Sequence, residues 1–481
     1  MYIKRLQEAL APWNEITTSA IELALNSWKK TQDLLGLLPS QIKPDNPTTK
    51  MNANSPIPPA EMHPSDVEEI STCQRGKLVL TGEIRSKEER APILVYLVGG
   101  PGSENEADRM GRFTQNALNA RYRVLFLNYR GTGTSEGMAG LKRVPSNMKA
   151  KYLELFRQDL IVQDLEAIRQ CFDVDKWTLW GQSFGGWIAL TYLSFYPESL
   201  KKVYLTGGMA PIGKSPDEVY QATYNKVRGY NLRYFEAYPR DELVLRCLIS
   251  EICSTRGGCV RLPNGGRLTV GRLMGLGRVL GSKDGPSKLH DMLHRIHREI
   301  QSPNGLSRAT GEEIENWIKY DTRPLYAVLH EAIYCDGRGI VSNWAADRIG
   351  RRQLEYRWLE PGFVKQAANG QNLDSPLYFS GEMVHPFLFN DYCRLRGLGQ
   401  VAEELAKKSD WGPLYNQRQL KANTVPVRAA IYEFDMFVDY EISREVADNI
   451  GNIKVITPRG VYHDAIREHT DNIMAALFSL K

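Results

Sequence analysis

At residues 177–187 the chain reads Trp-Thr-Leu-Trp-Gly-Gln-Ser-Phe-Gly-Gly-Trp. The apolar run 177–180 predicts a strand that is buried on both faces, and a helical pattern begins at Trp187 without an intervening linker. A serine on so tight a strand-to-helix turn takes a strained backbone conformation. Glycine is needed two positions before and two after it, because side chains there would collide with the neighbouring strand and helix. The turn projects the Ser183 hydroxyl above the sheet and points the N-terminus of a helix at it.

Further strand patterns lie on both sides of this turn. Apolar runs at 93–98, 124–127 and 202–206 predict buried parallel strands, and the alternating stretch 77–84 predicts an earlier strand. An apolar stripe formed by Ile161, Leu165, Ile168 and Phe172 predicts a helix between two of the strands. Strands alternating with helices, with glycine turns at the strand ends, indicate an open and mostly parallel α/β sheet.

The strand pattern stops after residue 206 and resumes at 427–432 and 453–456. Helical patterns broken by Gly and Pro, such as 216–235, 289–300 and 312–320, fill the interval. The sequence therefore predicts an α/β-hydrolase fold, with a mostly parallel central sheet and a large helical cap insertion. The predicted segments are an N-terminal helical extension and linker (1–71), the first part of the core (72–209), the cap (210–420) and the second part of the core (421–481).

Composition excludes several classes of partner. The 61 Lys and Arg residues nearly balance the 56 Asp and Glu residues, and no basic run is interleaved with aromatic residues, so no nucleic acid partner is predicted. Apolar windows of about 18 residues are absent, which predicts no membrane span. The seven scattered cysteines form no C-x-x-C pair and predict reduced thiols in a cytoplasmic protein. The sequence does not indicate an oligomeric state.

A serine hydroxyl needs a general base that is itself oriented by a carboxylate. In this fold the residues occur in the order serine, acid, histidine. Only His463 and His469 lie beyond the insertion, and His463 follows the predicted strand 453–456, where the base belongs. Asp435 follows the strand 427–432 and is the predicted acid. Glu433 and Asp439 are competing acids that are less well placed.

The loop Gly99-Gly100-Pro101-Gly102 follows the predicted strand 93–98. A glycine loop at this position supplies one half of an oxyanion hole, and the residue after the nucleophile supplies the other half. We therefore predict that the backbone N–H groups of Gly100 and Phe184 bind the oxyanion.

Together these motifs resemble the proline iminopeptidases, also called prolyl aminopeptidases, over the region from about residue 75 to the C-terminus. The matching segments are 99–102, 130–135, 181–186 and 435–438 in the core, and 329–334 and 381–383 in the insertion. The resemblance implies a serine aminopeptidase that releases an N-terminal residue, usually proline, from short peptides through an acyl-enzyme, with no metal or organic cofactor. The cap glutamates of the family correspond to Glu331 and Glu382, which are expected to bind the free amino terminus of the substrate.

Two other functions are compatible with the same sequence. One is a hydrolase that acts on an ester or amide of a small metabolite, and the other is a catalytically silent interaction protein. His290, His294 and His297 share one face of a predicted helix, but a zinc site would need a fourth ligand or a third at catalytic geometry. An exposed basic helix explains these three residues better, so no metal site is predicted. The strictness for proline and the role of residues 1–71 stay undetermined by the sequence.

Overall fold

The computed structural model describes residues 67–75, 78–135, 138–371, 373 and 376–480. The strands in chain order are β1 (Val67–Arg75), β2 (Leu78–Arg85), β3 (Ile93–Leu97), β4 (Arg123–Leu127), β5 (Trp177–Gln182), β6 (Leu200–Thr206), β7 (Val260–Arg261), β8 (Arg267–Leu268), β9 (Val427–Ala430) and β10 (Ile453–Ile456). Eight of them form the main sheet in the order β1-β2-β4-β3-β5-β6-β9-β10, while β7 and β8 form a separate antiparallel ribbon.

The main sheet is parallel from β4 to β10, and β2 pairs antiparallel with both β1 and β4. Every residue of the central strands β3 and β5 is buried, as expected for strands covered on both faces. The edge strand β10 is only partly buried. This architecture confirms the predicted α/β-hydrolase fold with a mostly parallel central sheet.

Helices cover the sheet and fill the interval between β6 and β9. In chain order they are α1 (Gly111–Asn119), α2 (Lys149–Leu153), α3 (Gln158–Cys171), α4 (Phe184–Phe195), α5 (Pro216–Ala237), α6 (Asp241–Ser254), α7 (Val270–Gly275), α8 (Gly285–Ile300), α9 (Arg308–Trp317), α10 (Pro324–Leu329), α11 (Ala345–Gly350), α12 (Phe363–Ala368), α13 (Leu388–Asp391), α14 (Gly399–Lys407), α15 (Gln417–Lys421), α16 (Tyr440–Ala447), α17 (Ala465–Glu468) and α18 (Thr470–Ser479). Short 3-10 turns occur at Ala107–Met110, Met138–Arg143, Ser146–Met148, Glu154–Phe156, Pro197–Ser199, Leu276–Gly281, Ala332–Tyr334, Leu354–Leu359 and Cys393–Leu395.

The predicted helix 216–235 corresponds to α5, whose start has a clear local cause. Ser215 accepts a hydrogen bond from the backbone N–H of Glu218, and the Glu218 side chain accepts one in return from the backbone of Ser215. This reciprocal capping box, with Pro216 at the first helical position, satisfies N–H groups that have no partner inside the helix. Helix α5 then packs against α11 and contributes to the wall of the helical segment.

The start of the sheet differs from the prediction. Strand β1 spans the predicted boundary between residues 71 and 72, so the sheet begins at Val67. The sequence of β1, VEEISTCQR, has no apolar run that would indicate a strand; its antiparallel pairing with β2 supplies the backbone hydrogen bonds instead. Residues 1–66 of the predicted N-terminal helical extension and linker lie outside the described residues. Within the described part of the chain, no helix has the length and apolar character needed to cross a membrane.

Candidate active site

Ser183 lies between β5 and α4 with φ 53° and ψ −129°, a conformation that residues other than glycine rarely adopt. The flanking glycines are required by close backbone contacts. A Cβ atom on Gly185 would lie 1.9 Å from the carbonyl oxygen of Leu97, and one on Gly181 would lie 2.5 Å from the carbonyl oxygen of Gly185. This strand-to-helix turn around Ser183, the elbow, therefore has the geometry that its sequence indicates.

The three predicted triad residues come together at the carboxyl ends of β5, β9 and β10. His463 Nε2 lies 2.9 Å from Ser183 Oγ, and His463 Nδ1 lies 2.6 Å from Asp435 Oδ2. The other carboxylate oxygen of Asp435 accepts the backbone N–H groups of Phe437 and Val438 at 2.8 and 2.9 Å. These bonds hold the carboxylate against the imidazole, which in turn can take the serine proton.

The residues that compete for these positions lie elsewhere. Asp439 caps the N-terminus of α16 by accepting the backbone N–H of Ile442, and Glu433 is exposed. His469 lies at the start of α18 with 41% of its side chain exposed, next to Glu468. The structure thus brings only one acid and one histidine of this set to Ser183.

The glycine loop lies beside the elbow. Gly100 and Ser183 line the same cavity, and Phe184 is the first residue of α4, where backbone N–H groups have no partner inside the helix. Gly100 has φ +144°, and a Cβ atom there would lie 3.1 Å from both the backbone nitrogen and the hydroxyl of Ser103. Both predicted oxyanion donors are therefore close to the nucleophile.

The cavity above Ser183 has a volume of about 330 Å³. Its walls come from the loops of the sheet and from the helical segment between β6 and β9. Its aromatic lining residues are Tyr96, Trp317, Tyr320, Tyr326 and Phe437, and its charged lining residues are Glu104, Glu106, Arg109, Arg278, Lys319, Arg323, Glu382, Asp464 and Arg467. A mixed apolar and charged cavity of this size suits a small ligand with a polar end.

Glu382 is the cap carboxylate that lines this cavity. Its Oε1 atom accepts hydrogen bonds from Arg278, at 2.6 Å, and from the hydroxyl of Tyr326, while Oε2 lies 3.9 Å from His330 Nε2. Burial alone would raise the pKa of Glu382, but the charge of Arg278 and the contact with His330 hold it well below its usual value. Glu382 is therefore an anion at the pH where the base is neutral.

Glu331, the second predicted cap glutamate, has a different environment. It is 5% exposed, accepts the backbone N–H of Ala346 at 2.9 Å at the start of α11, and is not among the residues that line the cavity. Burial raises the pKa of Glu331 to about 7. This placement disagrees with the expectation of direct substrate contact, because the backbone of the cap turns the Glu331 side chain into the packed interior beside α11.

Comparison with known proteins places this chain in a family. A family model described as the alpha/beta hydrolase fold matches residues 92–294. The chain is 36% identical over 433 residues to a proline iminopeptidase of Aeromonas sobria, covering 88% of this chain and 94% of that protein. It is 32% identical over 399 residues to a proline iminopeptidase of Aspergillus aculeatus, covering 81% of this chain and 85% of that protein. This chain belongs to the proline iminopeptidase family.

The crystal structure of a proline iminopeptidase from Mycobacterium smegmatis aligns with 85% of this chain and 96% of its own length, at 12% identity and a TM-score of 0.41. The identity to the Aeromonas sobria and Aspergillus aculeatus proteins confirms, over most of the sequence, the resemblance inferred from the short motifs.

Arg278, which lines the cavity and pairs with Glu382, is a site residue that the sequence analysis did not predict. It stands on the turn Leu276–Gly281, in a stretch without a motif, yet its guanidinium lies 4.9 Å from the ring of Tyr326 and 5.8 Å from that of Phe437. The Phe437 ring in turn meets the His463 ring at 4.9 Å. No local pattern points to this arrangement of a cation between aromatic rings, because Arg278, Tyr326 and Phe437 lie on three segments that are far apart in the chain.

Gly100→Val is expected to lower kcat by about 10²–10³-fold, the usual cost of one oxyanion donor. A β-branched side chain disfavours the positive φ of this residue and presses on Ser103, so the backbone N–H turns away from the substrate oxygen. Steady-state kinetics measure the loss, and Gly229→Ala, which meets nothing within 4 Å, is the control. Full activity of a folded Gly100→Val enzyme would exclude this loop from the oxyanion hole.

The pH dependence of kcat/KM is expected to rise with a midpoint above the ordinary histidine pKa of about 6.5. Burial alone would lower the pKa of His463, but the charge and hydrogen bond of Asp435, together with Glu382, raise it. Because the base must be neutral, a raised pKa moves the active range to higher pH. An uncharged ester is the suitable substrate. Asp435→Asn should move the midpoint down, and an unchanged midpoint would contradict the assignment.

Glu331→Gln is expected to stabilise the fold at pH 8 by up to about 3 kcal/mol and to leave its stability unchanged near pH 4. The magnitude follows from the raised pKa of Glu331, since each pKa unit corresponds to about 1.4 kcal/mol. A carboxyl whose pKa is raised from 4.5 to about 7 stabilises the fold below pH 4.5 and loses that contribution as pH rises through 7. Urea unfolding of both proteins across this range measures the difference. Equal destabilisation at every pH would show that the glutamine breaks the bond to Ala346.

Proposed function

We propose that this chain is a serine aminopeptidase that releases N-terminal proline from peptides. The observation that carries the proposal is Glu382, a carboxylate held in its charged form within the cavity that also contains Ser183. An exopeptidase must detect a free amino terminus, and a protonated amine that leaves water needs a partner of opposite charge. The relatives named proline iminopeptidase support the choice of proline.

The reaction follows from the geometry of the triad. Ser183 Oγ attacks the carbonyl carbon of the first peptide bond while His463 Nε2 accepts the hydroxyl proton, and Asp435 stabilises the imidazolium. The N–H groups of Gly100 and Phe184 bind the oxyanion. His463 then gives the proton to the leaving amine, which departs as the shortened peptide. Water activated by His463 hydrolyses the acyl-enzyme and releases the first residue.

We place the amino terminus of the substrate at Glu382, the carboxylate that the cap contributes to the cavity. Because Oε1 of Glu382 already accepts two hydrogen bonds, the substrate ammonium is proposed to bind Oε2, which faces His330 at the longer distance of 3.9 Å. The rings of Trp317, Tyr320 and Tyr326 form an apolar wall that suits a pyrrolidine ring. Since several of these residues come from the segment predicted as the cap, we assign residues 210–420 the role of closing the substrate site.

A panel of naphthylamides tests the proposal. Prolyl-naphthylamide should be cleaved, N-acetyl-prolyl-naphthylamide should not, and other aminoacyl-naphthylamides should be cleaved more slowly. Equal cleavage of free and acetylated substrates, with good cleavage of simple acyl esters, would favour the metabolite hydrolase. No hydrolysis of any member of the panel would favour the interaction protein.

A further inference from the structure

A cluster of two histidines and one aspartate lies in the helical segment, apart from the residues that line the catalytic cavity. Asp241 is the first residue of α6, while His290 and His294 stand one turn apart on α8. His290 Nδ1 lies 2.9 and 3.0 Å from the two carboxylate oxygens of Asp241, and His294 Nε2 lies 2.9 Å from Oδ1. We propose that these three side chains form a binding site for Zn²⁺ or a similar divalent transition metal.

The spacing between the carboxylate and each imidazole is close to that of ligands around one tetrahedral ion. One ligand atom from each of the three residues lies within 4.8 Å of the others. An ion at the usual distances of 2.0–2.2 Å would separate neighbouring ligands by about 3.3 Å. The observed contacts of 2.9–3.0 Å therefore need to open by only a few tenths of an ångström. Imidazole nitrogens and a carboxylate are ligands that Zn²⁺, Co²⁺, Ni²⁺ and Cu²⁺ accept.

The surroundings hold these ligands in place. The Tyr234 hydroxyl donates a hydrogen bond to Asp241 Oδ2, and the ring of Tyr238 stacks on His290 at 4.5 Å. Such outer contacts orient the ligands of metal sites. The Asp241 side chain is 1% exposed, whereas those of His290 and His294 are 33% and 38% exposed. The ion would thus be anchored from the interior and open to water on one side, which provides a fourth ligand.

His297 does not belong to the cluster, although it follows the same helical spacing. Its Nδ1 atom faces Glu251 at 3.7 Å. The third protein ligand is instead Asp241, which lies 49 residues before His290 in the chain. The metal would join the start of α6 to α8. Since α8 packs on the turn Leu276–Gly281, the site would brace the element that carries Arg278.

Zinc titration of the full chain tests the proposal. Calorimetry should show one Zn²⁺ bound per chain, and Zn²⁺ should raise the melting temperature, because an ion that binds only the folded state stabilises it. Loss of an outer contact typically weakens metal binding by about 10- to 100-fold. His290→Ala and His294→Ala each remove a direct ligand, so each should weaken binding by about 100-fold or more. His297→Ala is the matched control and should bind as the wild type does.

Co²⁺ distinguishes this site from the free cysteines of the chain. Bound by two imidazoles and a carboxylate, Co²⁺ should show visible bands without a thiolate charge-transfer band, and His290→Ala should abolish them. A thiolate band, binding that survives the His290→Ala/His294→Ala double variant, or no stoichiometric binding would each overturn the proposal. The two histidines are partly exposed, so their variants should fold. All three results are independent of peptidase activity.

Discussion

Ser183→Ala and His463→Ala are each expected to lower kcat by about 10⁶-fold, because nucleophile and base act as one unit. Asp435→Ala should cost about 10⁴-fold, since an imidazole without its carboxylate retains part of its function. The reason is that Ser183 Oγ, His463 and Asp435 form one continuous chain of hydrogen bonds, with contacts of 2.9 and 2.6 Å. Single-turnover and steady-state kinetics with prolyl-naphthylamide measure these losses.

Two matched controls accompany these variants. Ser194→Ala removes a hydroxyl on α4, the helix that follows Ser183, where it donates a hydrogen bond to the carbonyl of Leu190. His469→Ala removes the histidine six residues after the base. Both should turn over as the wild type does, provided that they keep its melting temperature. A Ser183→Ala protein that is folded and retains near-native turnover would show that the hydrolysis takes place at another nucleophile.

Glu382→Gln is expected to lower kcat/KM for a substrate with a free N-terminal amine by about 30- to 4,000-fold. The estimate follows from the 2–5 kcal/mol that breaking a buried charge pair typically costs, converted to a rate ratio. In this variant the substrate ammonium would enter the cavity without its anion, and Arg278 would lose its ion pair. Competition kinetics with free and acetylated naphthylamides measure the effect.

An uncharged acyl ester separates recognition from a general structural effect. The triad is intact in Glu382→Gln, so ester hydrolysis should stay close to that of the wild type. An equal loss on both substrates would show that the variant disturbs the site through Arg278. Glu331→Gln provides the comparison within the cap: if it, and not Glu382→Gln, removed the preference for a free amine, the two glutamates would have the reverse roles.

Local sequence was sufficient for most of the sheet and for the nucleophile. The strands β3 and β4 follow from the continuous apolar runs 93–98 and 124–127. The strand-to-helix turn at Ser183 follows from Gly181 and Gly185, where a Cβ atom would lie only 1.9–2.5 Å from backbone carbonyl oxygens. Asp435 and His463 could also be predicted, because they lie in the loops that follow β9 and β10, whose ends meet at one edge of the sheet. Strand β1 was missed, since pairing with β2 and not an apolar pattern forms it.

The chemistry of the helical segment depended on packing between distant parts of the chain. Motif similarity selected Glu331 and Glu382 alike, but only the three-dimensional course of the backbone separates the glutamate that caps α11 from the one that faces the cavity. Arg278 carries no local signal either, and the helical spacing of His290 and His294 gives no indication that Asp241, 49 residues earlier, is their partner. The burial of a strand is visible in the apolar pattern of its consecutive residues. A charge pair or a metal site instead joins residues that become neighbours only when helices pack.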